Sequence, residues 1–185
     1  MNQRHYSIGS RTVRDYGYII AGTGQARWRR MPILDRIRLW RRRENKTWPK
    51  EKMTEVLKRF IECFPEIQLI FNYAPGKEEE NARDIYQRLG APVSVFIDVQ
   101  ARSSRQLAAM CDAINLYFGN EGGARHIVHA MQKPSLVVCS PVANPQVWIP
   151  QDEVPAVAIR NEEATVDHVW QMLKEFTTKH IKTQL

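Results

Sequence analysis

From residue 49 onward the apolar positions switch repeatedly between helical spacing and short consecutive runs. The pattern predicts helices over 49–63, 78–89, 104–113, 124–131 and 165–181, and strands over 68–72, 93–97, 116–119, 136–139 and 156–159. Helical segments set between short apolar strands mark βαβ units, so the expected architecture is α/β: a Rossmann-like parallel sheet flanked by helices. Pro49 stands where a first helical turn tolerates proline, and Gly90 and Pro92 close the second helix before its strand. Upstream, residues 18–21 are a candidate first strand leading into a GTG loop at 22–24. No internal repeat or low-complexity tract is visible.

A chain of 185 residues has room for one such domain with a real core and little more. Charge divides it in two. Residues 1–45 carry eleven Arg and no Lys against Asp15, Asp35 and Glu44, a net +8, whereas residues 46–185 are near neutral at −1. The expected division is therefore an Arg-rich leader over 1–45 and a folded domain over 46–185. Because the basic excess lies outside the body, the overall +7 does not argue for nucleic-acid binding. Cys63, Cys111 and Cys139 are isolated and sit in apolar surroundings, which fits a reduced cytoplasmic protein better than a disulfide scaffold or a zinc site. No apolar run reaches the length of a membrane-spanning helix, and the N-terminus lacks the apolar stretch of a secretory signal.

Within the leader, RWRRMPILDRIRLWRRR at 27–43 places Ile33, Leu34, Ile37 and Trp40 on one helical side with arginines around the rest. This predicts a short basic amphipathic helix. It either packs its stripe on the domain or lies weakly on an anionic membrane surface.

The densest chemistry is NLYFGNEGGARHIVHAMQKPSLVVCS at 115–140, which reads strand, acidic-glycine turn, helix, Lys-Pro break, strand. A glycine turn entering a helix leaves the N–H groups of Gly122, Gly123 and Ala124 unpaired at a helix N-terminus, where diphosphate oxygens can accept from them. Glycine admits close backbone approach. Glu121 falls at the carboxyl end of its strand, where open α/β sheets bind ligands. A carboxylate does not hold phosphate, so its functional reading is acceptance from sugar hydroxyls; the alternative is a solvated turn residue.

FGNEGGARH, followed by Lys133-Pro134 and an apolar strand, resembles the strand, G-N-D-S-G-x-x-H, helix, K-P, strand pattern of glycosyltransferase family 9, the lipopolysaccharide heptosyltransferases. NKTWPKEKM at 45–53 is similar to that family's K-x-W-P loop, APGKEEENARD at 74–84 to its glycine-glutamate loop, and WIP at 148–150 to its late Trp-Pro segment. The four occur in family order. The resemblance covers about residues 45–180 and implies the nucleotide-sugar-binding C-terminal half of a GT-B fold, in which two Rossmann-like domains face each other. It places Lys46 at the diphosphate, Glu78 (or its neighbour Glu79) at the ribose hydroxyls, Gly122 and Gly123 at the phosphate turn, and His126 at the family histidine, which has either a ligand or a packing role. Glu121 stands where the family has Asp, a change that moves the charge by one methylene.

The resemblance further implies an inverting transfer from a nucleotide-diphosphate sugar, ADP-heptose being the family's donor, to a lipid-linked saccharide acceptor at the cytoplasmic face of the inner membrane. The catalytic base and acceptor surface come from the family's N-terminal half. No catalytic residue is assigned in this chain, and the expectation is a domain acting with an N-terminal Rossmann half or a partner chain. The alternatives are a non-catalytic nucleotide-sugar-binding module or an inactive gene fragment. Competing motifs are weaker. GTGQAR at 22–27 begins like a dinucleotide fingerprint, but Arg27 stands where a third glycine is needed for close packing. His126 and His129 share a helix face without an evident third ligand, so neither a metal nor a separate cofactor is expected.

Overall fold

The computed structural model describes residues 17–21, 48–99, 101–150 and 152–181. In chain order the elements are β1 (Gly17–Ala21), α1 (Lys50–Cys63), β2 (Gln68–Asn72), α2 (Lys77–Arg88), β3 (Val95–Phe96), α3 (Ser104–Asp112), β4 (Leu116–Asn120), α4 (Gly123–Ala130), β5 (Ser135–Val138), α5 (Pro145–Trp148), β6 (Ala156–Ile159) and α6 (Val166–His180). Lys46 and the basic amphipathic segment at 27–43 lie outside the described residues.

The strands form one sheet in the order β3-β2-β1-β4-β5-β6. The pairs β2–β3, β4–β5 and β5–β6 are parallel. Strand β1 runs antiparallel to both β2 and β4, so those two point the same way and all five later strands share one direction. The parallel α/β sheet expected from the periodicity is thus present, with one reversed strand at its centre. Strand direction is not written in a four- or five-residue apolar run, because either ladder satisfies the same backbone groups. Residues 17–21 are integral to the sheet although they precede the predicted domain boundary. Ala21 pairs with Gln68, the first residue of β2, so β1 ends at the edge opposite the carboxyl ends of the other strands. The GTG segment at 22–24 lies outside the described residues.

Alternate strand residues feed two cores. Leu69, Phe71, Leu116, Phe118, Leu136 and Val138 face α1, α2 and α6. Ile70, Tyr117 and Val137 face α3 and α4. Burial on both faces explains why the strands read as continuous apolar runs rather than as alternation. Helix α1 presents Met53, Val56, Leu57 and Phe60 to the first core at helical spacing. Each contributes about 1.5–3 kcal/mol on burial. Thr165 caps α6 by accepting from the His168 N–H at 3.2 Å, and Val169, Leu173 and Phe176 then pack inward.

Element limits otherwise depart little from the predicted ones. The strand expected over 93–97 shortens to two residues, since Val93 at the sheet border is 97% exposed. The short α5 was not read from the sequence, although Asn144-Pro145 carries its signal: the Asn144 side chain accepts from the Gln146 N–H at 3.1 Å with proline at the first turn.

Candidate nucleotide-sugar site at the carboxyl edge of the sheet

The carboxyl ends of β2, β4, β5 and β6 share one edge, and the predicted site residues within the described region gather there. Strand β4 ends at Asn120, which is 2% exposed, and the ladder extends one residue further through the Glu121 N–H to the Val138 carbonyl at 3.0 Å. Gly122 then takes extended backbone as the N-cap of α4, and Gly123 and Ala124 open the helix. The Gly122 and Gly123 turn therefore joins strand to helix as predicted and sets the amino end of α4 at this edge.

Trp48 joins α1 to this edge. Its backbone N–H donates to Asn120 Oδ1 at 3.1 Å, and its buried indole Nε1–H donates to the Ala164 carbonyl at 3.1 Å. The amino ends of α1 and α4 consequently converge, with Lys46 two residues before the anchor in sequence. The Tyr117 hydroxyl donates to the Asn120 carbonyl at 3.4 Å. Sequence reading recognised the tryptophan as part of a motif but gave no role to it or to Asn120. The tie spans 72 residues and has no local signal.

On the β2 side, Gly76 caps α2 with φ +94, a conformation that only glycine adopts readily. Among the three consecutive glutamates, Glu78 is the buried one, 6% exposed, and its Oε2 accepts from the Ala74 N–H at 3.0 Å. Glu79 pairs with Arg83 and Glu80 with Lys77 along the helix surface. Glu78 thus faces the edge loop, whereas Glu79 lies along the helix surface. Glu78 and Glu121 follow strands separated by β1, about 10 Å at two interstrand spacings.

Glu121 accepts from the Ser140 hydroxyl at 3.3 Å, and Ser140, just past β5, is 4% exposed. Ser140 was missed, because a serine after an apolar strand has no distinguishing pattern. Arg125 is buried at 1% exposure, and burial lowers its pKa against the raising influence of Tyr117 and Glu121. Its Nη2 lies 2.8 Å from His126 Nδ1 and 3.5 Å from Nε2, which sets the guanidinium over the imidazole face rather than along the Nδ1 lone pair. His126 is exposed, and partial burial together with the Arg125 cation holds its pKa below the ordinary value. It is therefore a neutral donor or acceptor at pH 7 rather than a charge for phosphate. His129 turns away and pairs with Asp152 at 2.8 Å. Among the described residues no three His, Cys, Asp or Glu cluster to hold a metal, and no helix is long and apolar enough to cross a membrane.

Sheet order and the helices on both faces together define a Rossmann-like α/β domain. The structure superposes on E. coli heptosyltransferase WaaC with ADP at a TM-score of 0.62 and 17% identity, covering 72% of this chain and 41% of that one. It matches the same enzyme with ADP-2-deoxy-2-fluoro heptose at 0.58 and 18% identity, covering 72% and 40%. No family model matches the chain. In sequence it is 31% identical over 96 residues to lipopolysaccharide heptosyltransferase 1 of Campylobacter coli, 51% of this chain and 28% of that protein. The chain is thus similar in part to lipopolysaccharide heptosyltransferases, and it spans under half the length of the proteins it matches.

Proposed function

We propose that the domain binds the donor of a heptosyltransferase-like glycosyl transfer, a nucleotide-diphosphate sugar, across the carboxyl edge of the sheet. The convergence of the α1 and α4 amino ends through the Trp48–Asn120 hydrogen bond carries this reading. Helix N–H groups and Lys46 neutralise the diphosphate, the charge that grows as it leaves. Glu78 accepts from ribose hydroxyls and Glu121 from the sugar, since each carboxylate oxygen offers two lone pairs. His126 contacts the donor as a neutral group. ADP-heptose is the donor that the relatives suggest. The base that deprotonates the lipid-linked saccharide acceptor belongs to a facing Rossmann half, so the 185-residue chain alone binds donor without transferring it.

Calorimetry with ADP, UDP and GDP tests the reading. One of them binds, and Lys46→Ala weakens binding by about 1–3 kcal/mol, the scale of a charge-assisted contact. A folded sample that binds none of the three refutes the proposal. Robust transfer to a lipid acceptor by the 185-residue chain refutes the assignment of the base to another half.

A further inference from the structure

We propose that Ser140 is a positioning residue that holds the Glu121 carboxylate for the sugar of the donor and so sets discrimination between the sugar conjugate and the bare nucleotide diphosphate. The inference rests on the donor-site reading above.

Glutamate at this turn has one more rotatable bond than aspartate, and its carboxylate stands further from the backbone. Left unheld, it sweeps a wider arc and loses more freedom when a ligand fixes it. Two features of the fold remove that freedom. The Glu121 N–H is locked into the sheet through Val138, which fixes the Cα. The Ser140 hydroxyl, buried one strand away, donates to Oε2 and fixes the far end of the side chain. Ser140 is itself anchored. It follows Cys139, whose N–H donates to the Ile159 carbonyl at 2.9 Å and whose carbonyl accepts from Asn161 Nδ2 at 3.5 Å. Arg125, buried on the first turn of α4, adds a cation close enough to interact electrostatically with Glu121. With Oε2 engaged by Ser140, Oε1 and the remaining Oε2 lone pair accept from sugar hydroxyls. A carboxylate held this way repels phosphate, so the device acts on the sugar only.

The contact of 3.3 Å is longer than the usual hydroxyl-to-carboxylate distance, which places its effect at the lower end for a hydrogen bond. The test uses the full chain and whichever of ADP, UDP and GDP it binds, together with the matching conjugate among ADP-heptose, UDP-glucose and GDP-mannose. Ser140→Ala is expected to weaken the conjugate by about 3- to 10-fold while leaving the bare diphosphate within about twofold. Ser140→Thr, which keeps the hydroxyl, restores the ratio. In a Glu121→Ala background Ser140→Ala has no further effect on either ligand. Equal losses for conjugate and diphosphate, or additive losses in the double variant, overturn the role of Ser140 and leave the donor site standing. Failure of the wild-type chain to bind any diphosphate overturns the donor site and this inference with it.

Discussion

Trp48 makes two different contacts, one through its backbone and one through its indole, and replacement by phenylalanine separates them. Trp48→Phe keeps a backbone N–H for Asn120 Oδ1 but removes the indole donor from the Ala164 carbonyl. The side chain is 4% exposed within the core formed by α1, α2 and α6, so water does not freely replace the lost donor. An unsatisfied buried acceptor costs about 1–3 kcal/mol. The smaller ring leaves a void worth about 1 kcal/mol more on the scale of modest core truncations. The expected loss is about 2–4 kcal/mol, which for a domain of this size lowers Tm by roughly 5–15 °C. Urea unfolding followed by circular dichroism, with calorimetric scanning, measures it. Because the Trp48 N–H remains, nucleotide affinity of the folded variant stays within about twofold, whereas Asn120→Ala, which removes the acceptor, lowers affinity by about tenfold. A Trp48→Phe change below about 0.5 kcal/mol, or one that lowers affinity as much as Asn120→Ala does, refutes this division of labour.

Glu78→Ala is expected to cost about 1–2 kcal/mol by releasing the Ala74 N–H, whereas Glu79→Ala, which breaks only an exposed pair with Arg83, changes stability by less than about 0.5 kcal/mol in thermal unfolding. Burial pushes the Cys111 thiol up to about 12 and, as the largest cause, the Cys139 thiol up to about 11, while Cys63 is exposed. A chromogenic thiol reagent should therefore count one rapidly reacting cysteine in the native protein and three after unfolding; three fast thiols would contradict the packing. Hydrogen bonds from Lys50 and then Arg88 hold the Asp84 carboxyl below its ordinary 3.8. A depressed folded-state pKa contributes stability above the ordinary value and loses it as pH falls through the lower one. Asp84→Asn should accordingly flatten the decline of stability below about pH 4 in acid titrations without changing stability trends above pH 6.

Order and type of the principal helices and strands were legible in the sequence because they depend on local period. Met53, Val56, Leu57 and Phe60 share a helical face whatever they pack against. The glycine turn at Gly122 and Gly123 was legible for the same reason, since a strand, two glycines and a helix dictate a helix amino end at the strand's terminus without reference to the rest of the chain. The sequence likewise showed that a carboxylate at 78 or 79 belongs to a helix amino end. Which of the two enters the edge loop was decided by tertiary structure, through burial of Glu78 against Ala74 and the surface pairing of Glu79. The direction of β1 was also decided there, because its apolar run reads alike in both directions and only its neighbours' ladders distinguish them. The ties that assemble the edge join residues far apart in sequence: Trp48 to Asn120 over 72 positions, Trp48 to Ala164 over 116 and Ser140 to Glu121 over 19. Periodicity records which way a side chain faces within its own element. Which partner stands opposite depends on how the elements are stacked, and that information exists only once the sheet has formed.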